Sequence, residues 1–146
     1  YGSTADVELD GQHVYYLSPD RSLLTQVTDD LVQPNGLIGT PDGSRLYVAD
    51  HGAGRVWAYR IDIDGTLTDK RVFVSQGSDG LTMDDRGNIY LTGQDVTVFN
   101  PQGDAIASIG VPEPPANLTF GGIDGTTLFI TARTSLYRVS MLVTGQ

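Results

Sequence analysis

Pro34 to Asp50 reads PNGLIGTPDGSRLYVAD, and the same outline returns twice further along the chain. Ser78 to Gly93 is SDGLTMDDRGNIYLTG, and Ala116 to Ala132 is ANLTFGGIDGTTLFITA. Each segment runs from a small polar residue into an apolar stretch, through an Asp/Gly turn, into a second apolar stretch. A third strand-like stretch follows each: Arg55–Asp62, Asp95–Pro101 and Ser135–Ser140. A fourth follows in two cases, Arg71–Gln76 and Ala105–Val111. The markers Asn35, Asp79 and Asn117 lie 44 and then 38 residues apart (79 − 35 and 117 − 79). Repeats of about 40–45 residues with four short strands each are the pattern of β-propeller blades. Turn residues every 8–12 positions, with β-branched and aromatic residues between them, point the same way. The fold class expected is all-β, a β-propeller.

The repeat divides the chain into a partial blade over residues 1–32, a blade over 33–76, a blade over 77–115 and an incomplete blade over 116–146. His13–Asp20 and Leu23–Leu31 read as the last two strands of the first of these. About three blades do not close a ring, and an open sector leaves apolar faces and strand edges uncovered. The expectation is therefore the C-terminal half of a six-bladed propeller. Its partner is the N-terminal half, as a missing segment or on a second chain.

The 146 residues contain no cysteine, which excludes disulfide scaffolds, thiol nucleophiles and Cys-based zinc sites. Nine basic against 18 acidic residues give a net charge of −9, which repels phosphate backbones, so no nucleic-acid partner is expected. The apolar runs are strand-length, well short of the ~18 residues of a membrane helix, so no membrane partner is expected either. The compartment stays open between cytoplasm and periplasm or secretion.

The first strand of a propeller blade lines the central channel, so Asn35, Asp79 and Asn117 converge on one axis. Amide and carboxylate oxygens suit a hard divalent cation such as Ca²⁺ or Mg²⁺. Such an ion polarises a carbonyl, and a neighbouring carboxylate accepts the proton of an attacking water. Other roles compete for these residues. PNG at 34–36 also reads as a turn entering the strand, Asp79-Gly80 as a plain cap, and Asn117 as a strand-end hydrogen bonder. Asn117-Leu118-Thr119 spells a glycosylation acceptor, read as fortuitous because a channel-facing Asn would be inaccessible. His51, where the LYVADH strand leaves for a loop, is a candidate substrate contact, with a solvated loop histidine as the alternative. Arg133-Thr134-Ser135 reads as a β-turn or, less simply, as a contact for an anionic substrate. Asp50 is expected to orient a neighbouring loop without catalytic part. Tyr47, Trp57, Tyr90 and Tyr137 fall on strand positions and are expected to pack between blades.

The ordered set QPNGL (33–37), PDGSRLYVAD (41–50), GSDGLTMDDRGNIYL (77–91), VTVFNPQGDAI (96–106), NLTFGG (117–122) and LFITARTSLYRV (128–139) resembles the C-terminal half of the gluconolactonase, senescence-marker-protein and luciferin-regenerating-enzyme family. The resemblance implies a six-bladed propeller holding one divalent cation, Ca²⁺ foremost, with Mg²⁺, Mn²⁺ or Zn²⁺ as alternatives. It implies hydrolysis of a sugar lactone or related ester, a small-molecule substrate. Asn35 matches the family's Asn ligand, and Asp79 matches its Asp ligand, which also serves as general base. The family's Glu ligand and its substrate-contacting Asn-Asp-Gly motif have no counterpart here and are expected upstream. The rival expectations are a non-catalytic propeller scaffold for binding, and an aryl-ester or organophosphate hydrolase using the same cation site.

Overall fold

A computed structural model of the chain describes residues 10–146, in four antiparallel sheets. Residues 1–9, the opening of the expected partial blade, lie outside the described residues. β1 (Tyr15–Leu17) and β2 (Leu24–Gln26) form a two-stranded sheet. β3 (Pro34–Gly39), β4 (Arg45–Asp50), β5 (Arg55–Ile61) and β6 (Leu67–Val74) form a four-stranded meander. A second meander follows, made of β7 (Leu81–Met83), β8 (Ile89–Thr92), β9 (Val96–Phe99) and β10 (Ala105–Ile109). β11 (Pro115–Gly121), β12 (Thr127–Ala132) and β13 (Ser135–Ser140) make the last sheet. No helix occurs among the described residues, so none is long and apolar enough to cross a membrane.

Sheet packing explains why the strands read as nearly unbroken apolar runs. Successive residues of a strand point to opposite faces, and for strands such as β4 and β8 both faces are covered. On β4, Tyr47 and Ala49 join Val56 and Val74 against Leu81, Met83, Ile89 and Leu91 of the next sheet. Val48, between them, faces the other way, toward Val14 and Tyr59. β8 repeats the device, with Ile89 and Leu91 facing back while Tyr90 packs forward on Leu118, Leu128 and Ile130. Tyr47 meets Phe73 edge-on with ring centres 4.9 Å apart, and Tyr90 meets Phe120 at 5.3 Å. The aromatic residues expected between sheets are there, Tyr137 among them at the rim of the second cluster.

The innermost strand of each large sheet (β3, β7, β11) touches the next, β7 lying between the other two. Glycine makes these contacts possible. A Cβ on Gly36 would stand 2.6 Å from the Asp79 carbonyl oxygen, and one on Gly80 would stand 2.7 Å from the Asn117 Cα. Neither glycine needs a positive φ, in contrast to Gly43 at +69° in the β3–β4 turn. The PNG segment thus differs from its turn reading. Pro34, Asn35 and Gly36 lie within β3, where a register irregularity separates Pro34 from Leu37, and the glycine serves close approach.

Two outer turns share one sequence rule. In SPDRS (18–22) and TPDGS (40–44) the aspartate accepts hydrogen bonds from a hydroxyl two residues before it and from the amide and hydroxyl two residues after. The Ser18 and Thr40 hydroxyls foremost, then the Ser22 and Ser44 groups, hold Asp20 and Asp42 down to about 2. At the opposite end from Asn35, residues 141–146 cross beneath the inner strands. The Asp85 amide donates to the Thr144 carbonyl at 2.8 Å, and Gln146 Nε2 donates to the Gly39 carbonyl at 2.8 Å.

Candidate functional site

Two buried hydroxyls fix the backbone around Asp79. Ser78 and Thr92 are 1 % and 2 % exposed, and their hydroxyls meet at 3.0 Å. The Thr92 hydroxyl accepts from the amides of Asp79 and Gly80, both at 3.2 Å. The Ser78 hydroxyl accepts from the Thr92 amide at 2.8 Å and donates to the Gly80 carbonyl at 2.6 Å. Every polar atom of this knot is satisfied inside the protein, which is what a buried network needs to be rigid. The Asp79 side chain takes no part in it and is partly exposed.

Asp50 does the corresponding work for Asn35. Its carboxylate, 1 % exposed, accepts from the amides of Gln33 at 2.8 Å, Val32 at 3.1 Å and Ala53 at 3.2 Å, and from the Trp57 indole at 3.3 Å. Burial pushes the Asp50 pKa up, and these donors more than reverse it, leaving the group below the ordinary carboxylate value. The segment entering β3 is thereby tied to the end of β4. Asp50 orients a loop, as expected, and that loop carries Asn35. Trp57 adds to its packing role the indole bond to Asp50 and a cation–π contact with Lys70 at 4.1 Å.

These supports bring together two of the sequence-expected site residues that are 44 positions apart. Asn35 Nδ2 donates to Asp79 Oδ1 at 3.0 Å. His51 Nδ1 lies 3.6 Å from the same oxygen, its side chain 56 % exposed and so reachable from solvent. His51 and Asp79 line a cleft of about 600 Å³ together with Ser78, Thr92, Pro115 and Arg133. Neither Asn35 nor Asn117 is among the residues lining that cleft. Asn117 stands against Gly80, and its Oδ1 accepts from the Leu118 amide at 2.8 Å. Asn117 is also exposed, contrary to the inaccessibility expected of its sequon.

The donor chemistry fits a hard cation in part. Among the described residues, no three His, Asp or Glu side chains cluster to hold a metal by themselves. Asn35 beside Asp79 adds an amide oxygen: a half-turn about its Cβ–Cγ bond exchanges nitrogen for oxygen without moving the backbone. Two oxygen ligands cover part of the six to eight that Ca²⁺ takes.

Ser78 and Thr92 were not legible as site residues, since a threonine ending a strand is an ordinary β-former. The signal was the glycine after Asn35 and after Asp79, which shows where inner strands come closest. Replacing Gly80 with alanine is expected to cost about 1–3 kcal/mol, because the Asn117 backbone cannot yield as a side chain would. The midpoint of urea unfolding measures this, and an unchanged midpoint would contradict the close approach.

The family model described as an SMP-30/gluconolactonase/LRE-like region matches residues 2–134. The chain belongs to this family. As an SMP-30/gluconolactonase/LRE-like chain, it is 31 % identical over 147 residues to a gluconolactonase of Zymomonas mobilis, covering 90 % of this chain and 41 % of that protein. It is 33 % identical over 111 residues to a lactonase of Staphylococcus saprophyticus, covering 68 % of this chain and 34 % of that one. The solved structure of a gluconolactonase from Xanthomonas campestris superposes with a TM-score of 0.84 at 33 % identity, covering 97 % of this chain and 47 % of that structure. The SMP-30/gluconolactonase/LRE-like chain therefore spans less than half the length of these relatives. Its architecture is the all-β propeller expected from the repeat, present here as a sector.

Proposed function

We propose that this chain carries the cation and base residues of a metal-dependent lactonase, with Asn35 and Asp79 as ligands and Asp79 also the general base. The observation that carries the reading is the 3.0 Å contact between Asn35 and Asp79, made across 44 residues at the edge of a cleft. Family membership and the lactonase relatives supply the reaction class. The relatives' greater length supports a six-bladed ring in which this chain supplies about three blades and an N-terminal half the others. That half would add the acidic ligand and the substrate-contacting motif that the family resemblance implies.

A divalent cation, Ca²⁺ foremost, when bound would polarise the lactone carbonyl. The chain's own residues do the rest. Asp79, anchored through the Ser78–Thr92 knot, accepts a proton from the water whose oxygen bonds to the carbonyl carbon. The ring C–O bond then breaks, and the proton passes to the departing alkoxide, giving the open hydroxy acid. Asn35, with its amide turned so that the oxygen would meet the cation, stands beside the carboxylate as the second ligand. His51, at 3.6 Å, gives the same oxygen a polar neighbour on the solvent side.

Lactone opening by the full-length protein is expected to vanish with a chelator and to return on adding Ca²⁺. Asn35→Ala is expected to raise the Ca²⁺ concentration for half-maximal rate at least about tenfold, the loss of one oxygen ligand from the shell. Activity indifferent to chelator would end the metal-dependent reading. Parallel assays with an aryl ester and an organophosphate decide the substrate class, since the ligands are common to all three reactions.

A further inference from the structure

The hydrolytic scheme leaves one charged group of the cleft unused. Arg133 lines the same cleft as Asp79 and His51. It takes the first place of the two-residue turn joining β12 to β13, where Ala132 pairs with Ser135. Its φ is +46°, a conformation that glycine or asparagine ordinarily supplies in such turns and that costs other residues about 1–2 kcal/mol. Arg21 is also left-handed, at +60°, but the matching turn uses Gly43 at +69°, and Arg21 does not line the cleft.

The turn is held from outside. Glu113 accepts from the Thr134 amide at 3.3 Å, from the Thr134 hydroxyl at 3.4 Å and from the Ser135 hydroxyl at 3.2 Å. That carboxylate is engaged with the turn, and none of the ion pairs among the described residues includes Arg133. In a chain with twice as many acidic as basic residues, Arg133 thus lines the cleft without a carboxylate partner.

We propose that Arg133 is a specificity-determining residue that receives an anionic group of the substrate, so that the preferred lactones carry a phosphate or carboxylate remote from the ester. This rests on the lactonase reading above. A guanidinium grips either anion through two parallel N–H bonds. Asp79, on the same cleft, repels an anion near the reacting end. The two charges together orient the ring, with the ester toward Asp79 and the anion toward Arg133.

The test uses the full-length protein with glucono-1,5-lactone, its 6-phosphate and glucaro-1,4-lactone. Wild type is expected to show a kcat/KM at least tenfold higher for one or both anionic lactones than for the neutral one. Arg133→Gln is expected to reduce that ratio about tenfold, and Arg133→Lys to restore part of it. Arg133→Gly is expected to reduce the ratio equally while melting no lower than wild type, which separates lost recognition from lost folding. No wild-type preference, or a ratio indifferent to all three substitutions, overturns the proposal. Should no lactone be opened, the lactonase reading fails by itself, and calorimetric titration with gluconate and its 6-phosphate decides Arg133. Tighter phosphate binding that Arg133→Gln removes upholds the anion site, and equal or absent binding overturns it.

Discussion

Asp79→Asn is expected to reduce lactone hydrolysis by about 10²–10⁴-fold, the range that a positioned general base contributes. The replacement keeps the shape and can still meet Asn35, which stands 3.0 Å from Asp79 Oδ1. It removes the negative charge that a cation would need and the lone-pair basicity that a water proton would need. Folding is a clean control, because the Ser78–Thr92 knot binds the backbone of residues 79 and 80 and leaves the carboxylate out. The melting temperature should therefore stay close to wild type while the rate collapses. A variant retaining a tenth or more of wild-type activity would remove Asp79 from the role of base.

The largest loss of stability is expected at Asp50, a residue outside the chemistry. Asp50→Ala leaves three amides and an indole without their acceptor. Val32 and Gln33 are exposed enough for water to take over their amides, so the cost is about 3 kcal/mol rather than the sum over four bonds. The pH dependence carries the signature of a depressed pKa. The carboxylate's contribution is fully present above the unfolded value of about 4 and is lost as pH falls through the lower folded value. The gap between wild type and Asp50→Ala in urea midpoint should hold from pH 7 to about pH 4 and narrow below. A gap that persists undiminished to pH 2 would mean that packing, not the ionised carboxylate, is responsible. Because Asp50 ties down the entry to β3, the variant should also need more Ca²⁺ for activity at temperatures where it is still folded.

Much of the architecture was legible because strands such as β4 and β8 are buried on both faces, which writes them as apolar runs separated by obligatory turns. Tyr47, Val48 and Ala49 alternate between two cores, yet all three read simply as apolar. The 44-residue step from Asn35 to Asp79 survived as a real contact because equivalent blade positions converge. The step to Asn117 brought that residue against Gly80, where the two backbones close up and Asn117 turns its oxygen back on the Leu118 amide. The turn alternative for PNG gives way to the same packing. Gly36 is there for what lies beside it, the Asp79 carbonyl, and one strand's sequence does not display its neighbour. Ser78 and Thr92 were opaque for a related reason: a hydroxyl's partners belong to other segments.

The tail under the inner strands has a practical corollary. Gln146 is moored at Gly39, roughly 13 Å along β3 from Asn35 at the usual strand rise. A tether fixed to position 146 would leave from that lower end. Coupled to a bead or an electrode this way, the molecules would share one orientation, with the Asp79 rim turned to the flowing liquid.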